Sequence, residues 1–93
     1  TGRIFSGTEA KEFGFATRVC ADPRAEALAL AREIAGKNPH AIRAGKRLLN
    51  ALPTATDAQA LMAESVEQDS IIGKPNQVEA VMSQMQKRAP NYS

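Results

Sequence analysis

Few side chains in this 93-residue sequence have both the type and the spacing that chemistry needs. His40 is the only histidine and Cys20 the only cysteine. A general base needs an orienting partner and a proton within reach, and neither can be read for His40. Just after Pro39 it reads as a solvated side chain at a helix start. Cys20 follows Val19 and reads as a small buried thiol. A lone cysteine excludes an internal disulfide and a zinc cluster built on thiolates. Arg43, Lys46 and Arg47 fall at i, i+3 and i+4, one helix face, with Lys37 nearby. That face is either a solvated exterior or a surface for nucleic-acid phosphates. The aromatic residues, Phe5, Phe13, Phe15 and Tyr92, lie outside it, so bases would have nothing to stack on there. Lys87 and Arg88 read as the last turn of a terminal helix, where cations complement the dipole. Glu9, Glu26, Glu64 and Glu79 read as caps or exposed faces. No nucleophile elbow, phosphate loop, zinc-protease motif or dinucleotide fingerprint is present.

The elements that must position these residues are five short helices. Ser6 with Glu9 forms a capping box, Phe5 can staple onto Ala10, and Gly14 suits the positive-φ residue past a helix end. Residues 16–20 allow a short extended stretch, since Thr17 and Val19 are β-branched. Asp22-Pro23 starts a second helix with an apolar face of Ala27, Leu30, Ala31, Ile34 and Ala35, ended by Gly36. Asn38-Pro39 repeats the signal; Ala41, Gly45, Leu48, Leu49 and Leu52 make the third stripe, and Pro53 stops it. Thr56 with Gln59 caps a fourth helix running to about Ile72, striped by Ala58, Leu61, Met62, Ser65 and Val66. Asn76 with Glu79 reads as a third capping box, and Val78, Val81, Met82 and Met85 line the last helix before Pro90.

Composition fits an ordinary globular chain, with 43% hydrophobic and 24% charged residues. Net charge is +2. Residues 1–53 carry nine Lys/Arg against five Asp/Glu, and residues 54–93 three against five. That mild bias can draw a phosphate-bearing ligand without declaring a nucleic-acid protein. The longest stretch free of Lys, Arg, Asp and Glu, residues 48–56, is far short of the roughly 20 apolar residues a membrane span needs. The chain opens at Thr1, which fits either removal of an initiator methionine or a missing upstream portion.

Three segments together resemble the C-terminal part of the crotonase (enoyl-CoA hydratase/isomerase) family. Thr1-Gly2-Arg3-Ile4-Phe5-Ser6-Gly7-Thr8-Glu9-Ala10, continuing to Phe13-Gly14-Phe15-Ala16 and Arg18-Val19, is similar to the family's T-G-x-x-[FI]-[ST]-A-x-E-A…G-L-V-x-x-V stretch. Asn38-Pro39 with Ala41-Ile42 and Lys46 is similar to its N-P-x-A-[IV]-x-x-x-K helix. Glu79-Ala80 through Lys87-Arg88-Ala89-Pro90-Asn91-Tyr92 is similar to its E-G-x-x-A-F-x-E-K-R-x-P-x-F tail. Ala80, Ser83, Gln84 and Gln86 depart from that tail.

The resemblance implies a mainly α fold. Residues 1–93 would be a single C-terminal helical (trimerisation) domain or fragment, without the family's N-terminal α/β spiral core. It implies a lyase or isomerase of fatty-acid metabolism, first of all an enoyl-CoA hydratase that adds water to 2-enoyl-CoA in β-oxidation. Isomerase, hydrolase, decarboxylase and dehalogenase members share the tail. No segment matches the family's oxyanion hole or acid/base carboxylates, so no catalytic residue is expected in this chain, which would be inactive alone. No metal or separate cofactor is expected; the coenzyme A thioester is the substrate. Lys87 would reach a coenzyme A held by a neighbouring subunit, and Gln84 stands where the family's phenylalanine makes the companion contact. The whole enzyme would be a cytoplasmic homo-oligomer, a trimer or dimer of trimers, with no membrane or nucleic-acid partner. The alternative is an autonomous helical module that binds nucleic acid through Arg43, Lys46 and Arg47.

Overall fold

Side-chain caps and prolines start most of the helices where the sequence places them. The computed structural model describes residues 1–93 as α1 (Gly7–Glu12), α2 (Pro23–Ala35), α3 (Pro39–Ala51), α4 (Asp57–Ile71) and α5 (Pro75–Met85). A 3-10 turn, Leu52–Thr54, follows α3. The extended reading of residues 16–20 is not realised; no strand forms there. The chain divides into two compact units, Thr1–Arg32 and Glu33–Ser93, and α2 runs across the division.

In the first unit, Ser6 Oγ accepts from the Glu9 N–H at 3.2 Å, and Glu9 accepts from the Ser6 N–H at 2.9 Å. The Ser6 N–H, reinforced by Arg3, holds the Glu9 carboxyl below its usual range. Gly14 at φ 83° turns the chain out of α1. Its N–H donates to Lys11 O and that of Phe15 to Ala10 O, so two orphan carbonyls are satisfied in a Schellman turn. The turn returns Phe15 to stack on Phe5, while Phe13 meets both edge-on. Asp22 Oδ1 accepts from the Ala25 N–H at 3.0 Å and opens α2. All of α2 is exposed, its apolar stripe included.

The second unit packs on its small residues. Asn38 Oδ1 caps α3 by accepting from the His40 N–H at 3.0 Å. Pro53, lacking an N–H, ends α3 through the 3-10 turn rather than abruptly. The capping box of Thr56 and Gln59 forms at α4. The inward faces are not the expected stripes. On α3 the buried residue is Ala44, flanked by half-buried Gly45 and Leu48. On α4 the half-buried residues are Ala60, Ala63 and Glu67, with Ile71 a turn further on, whereas Leu61, Met62 and Val66 are more than 60% exposed. On α5 Asn76 and Ser83 are buried, and Val78, Val81, Met82 and Met85 face outward. Ala44 is the single buried apolar side chain.

The start of α5 also differs from expectation. Lys74 is the N-cap, with no side-chain cap bond, and Pro75 occupies the first helical position. Proline fits there because its missing N–H would be unpaired anyway. Asn76 and Glu79 thus lie inside the helix and their side chains are released for tertiary bonds.

Candidate functional site

Both released side chains hold the segment after α5. Asn76 is 2% exposed. Its Oδ1 accepts from the Ser93 N–H at 2.9 Å, which fixes the amide orientation, and its Nδ2 donates to Ser93 O at 2.8 Å. Glu79 accepts from both terminal guanidinium nitrogens of Arg88, one at 2.8 Å, and from the Asn91 N–H at 2.7 Å. The Arg88 hydrogen bonds, then the Asn91 N–H, draw the Glu79 carboxyl down from 4.5 to about 2.

Between these two clamps the chain leaves α5. The helix ends at Met85 with Gln86 as C-cap, so Lys87 and Arg88 lie beyond the last turn rather than within it. Lys87 is the only non-glycine residue at positive φ, 52°. The Lys87 N–H donates to Gln84 O at 3.2 Å and the Arg88 N–H to Ser83 O at 3.0 Å, a second Schellman turn. A lysine in this conformation gives up the steric ease of glycine. The two carbonyl bonds and the Arg88–Glu79 pair hold it there. Gln84 remains in α5, exposed, three residues before Lys87.

Arg43, Lys46 and Arg47 all lie on α3, but one of them is engaged by another helix. Arg47 pairs bidentately with Glu67 of α4 at 2.7 and 2.6 Å. Its hydrogen bonds hold the Glu67 carboxyl below the usual range. Arg43 shares a cleft with Arg47, whereas Lys46 does not line it. Lys37 approaches Glu33 at 3.9 Å. His40 is exposed, and its Nδ1 faces Asn76 Nδ2 at 3.3 Å. Because that Asn76 atom is a donor, the tautomer that fits this contact is the one accepting at Nδ1. No hydroxyl or thiol donates to the ring, so no nucleophile–base pair exists. Cys20 is half-buried and free. No group of three or more metal-ligating side chains converges, and no helix is long and apolar enough to cross a membrane.

The sequence reading missed the roles of Asn76 and Glu79. A separation of nine residues from Glu79 to Arg88 is no helical spacing; only the tail motif itself, E…KR…P, signalled that these positions belong together.

No family model matches the sequence, and no curated protein matches it significantly. Among solved structures, an enoyl-CoA hydratase from Polaromonas sp. JS666 superposes with a TM-score of 0.87 at 26% identity. The alignment covers 99% of this chain and 37% of that one. The fold is that of a crotonase-family helical segment. The match fits a C-terminal piece of such an enzyme, and the five helices with no strand agree with it. The chain spans little more than a third of the length of that structure.

Proposed function

We propose that this chain is the assembly and site-closing segment of an acyl-CoA enzyme that adds water across the double bond of a 2-enoyl-CoA. The superposition of 99% of this chain on part of an enoyl-CoA hydratase carries the reading. In this reading the catalytic groups lie elsewhere in the enzyme and the chain contributes no chemistry alone. Its large apolar residues agree with an assembly role. Leu61, Met62, Val66, Val81, Met82 and Met85 are exposed and would be covered by other subunits or by the rest of the enzyme. The active assembly would be a homo-oligomer working in the cytoplasm.

Lys87 would meet a phosphate of coenzyme A across a subunit boundary. Its place just past the end of α5 suits a point charge that must extend beyond the helix. Gln84 occupies the neighbouring position without an aromatic face. Purified chain alone is expected to leave crotonyl-CoA unhydrated above the buffer rate; turnover by it would refute the inactive-segment reading.

A second reading, nucleic-acid binding by Arg43, Lys46 and Arg47, is weakened by one observation: Arg47 is committed to Glu67. Duplex DNA titrated at two salt concentrations tests it, since phosphate-driven binding weakens steeply with salt.

A further inference from the structure

We propose that Glu79 is a positioning residue for the acyl-CoA contact: it grips the chain beyond α5 and so sets the backbone from which Lys87 reaches the ligand. This rests on the reading of Lys87 as a phosphate contact and adds to it a side chain that touches no ligand. Glu79 lies within α5, one turn before Ser83, whose carbonyl takes part in closing the helix end. Its side chain is only 20% exposed, so its pull on a cation is less screened than at the open surface.

One carboxylate spans the outgoing chain from Arg88 to Asn91. Its Oε1 accepts from Arg88 Nη1 and from the Asn91 N–H, and its Oε2 accepts from Arg88 Nη2. Pro90 lies between these anchors, and its ring locks φ, so the piece has little freedom once both ends are held. Arg88 extends the grip to its neighbours. Its Nε donates to Gln86 Oε1 at 2.7 Å and its Nη1 to Ala89 O at 3.1 Å. Lys87 is thus bracketed by Gln86 and Arg88, both tied through one guanidinium.

The backbone of Lys87 makes this grip consequential. A Schellman turn asks its C′ residue for positive φ, and here that residue is a lysine at 52°. A residue with a Cβ avoids that region unless it is held there. The two backbone bonds to Gln84 O and Ser83 O are common to turns of this type and recur after α1, where the residue is Gly14. The Glu79 clamp is what α5 adds. With the clamp loosened, Lys87 would return to negative φ and its Cα–Cβ bond would turn away, carrying the ammonium at the far end of the side chain with it. The Arg47–Glu67 pair supplies a matched control. It is also bidentate and its glutamate is also 20% exposed, but it joins α3 to α4 and holds no residue after α5.

NMR of the full 93-residue chain and kinetics of the complete enzyme test the two halves of the proposal. Lys87 should show the strong intraresidue NOE between its amide and α protons that positive φ produces. Glu79→Gln should weaken that NOE, and Glu67→Gln should leave it as it is. In the enzyme, Lys87→Ala keeps the Cβ and removes the charge, and should raise KM for crotonyl-CoA by about three- to fivefold, the scale of an exposed ion pair. Its kcat should change by less than about twofold. Glu79→Gln should raise KM by a similar factor, and the double variant should be no worse than Lys87→Ala alone, because both changes act through one contact. Glu67→Gln should leave KM within about twofold even where stability falls. Arg88→Lys, which keeps the charge and loses the planar fork, should raise KM by a smaller factor, and it carries the test if Glu79→Gln fails to fold. An unchanged KM in Lys87→Ala would remove the ligand contact itself and the role of Glu79 with it. A KM raised by Lys87→Ala but not by Glu79→Gln, additive losses in the double variant, an equal rise in Glu67→Gln, or a Lys87 NOE unmoved by Glu79→Gln would overturn the positioning role while the contact stands.

Discussion

Two helix ends, after α1 and after α5, are built on the same turn with different residues. Both send the N–H groups of C′ and C″ back to two orphan carbonyls. After α1 the C′ residue is Gly14 at φ 83°, and after α5 it is Lys87 at φ 52°. Glycine is at ease there, and an ideal Cβ on Gly14 would touch nothing within 4 Å, so the turn asks only for conformational freedom. At α5 the chain accepts a strained lysine and secures it with neighbours, Arg88 and Asn91 both held by Glu79. Under the proposed function the lysine is kept there for its charge, a role Gly14 does not have.

The largest effect that tests this contrast is Gly14→Ala. A Cβ at that φ costs roughly 1–2 kcal/mol whatever the open space, and urea unfolding should show the loss. A neutral result would mean that the turn tolerates side chains in general, and Lys87 would need no special explanation.

Acid tests the clamp. The Glu79 carboxyl is lowered in the folded chain, so its contribution to stability is complete above the ordinary carboxylate range, near 4.5, and drains as pH falls toward about 2. Glu79→Gln should flatten that part of the stability–pH profile measured by thermal unfolding. An unchanged profile would show that the clamp does not hold the turn.

Lys87→Gly should then be the mildest for stability and the most informative for function. It relieves backbone strain and should stabilise by up to about 1 kcal/mol. In a complete enzyme the same change should raise KM for acyl-CoA and leave kcat nearly unchanged, because the contact is remote from the reacting bond. Stabilisation without a KM change would reduce Lys87 to a helix-end residue. Gln84→Phe should lower KM slightly if the neighbouring subunit presents an apolar pocket.

Helix existence was legible in the sequence because it is set locally. The boxes at Ser6/Glu9 and Thr56/Gln59, the Asp22-Pro23 and Asn38-Pro39 starts and Gly14 all act within a turn or so of the chain. The inward faces were not legible, because periodicity finds a face without saying which way it points. On α4 the larger side chains Leu61, Met62 and Val66 form the more apolar face, yet Ala60 and Ala63 face inward with Glu67, which pairs with Arg47 across the helices. Asn76 misled for a related reason: as the cap of α5 it would satisfy a local pattern, but Pro75 already fits the first helical position, and the amide goes to Ser93 instead. The site followed the same rule. The tail motif put Glu79 and Arg88 in one segment, while the bonds of Asn76 and Glu79 to the residues after α5 depend on where that helix begins.

The central claim is that these helices complete an enoyl-CoA hydratase. Replacing the matching segment of the Polaromonas hydratase with residues 1–93, and measuring crotonyl-CoA hydration alongside sedimentation, tests it most directly. The account expects a soluble oligomer that hydrates crotonyl-CoA and whose KM rises on Lys87→Ala. A soluble, folded monomer without hydration would contradict it.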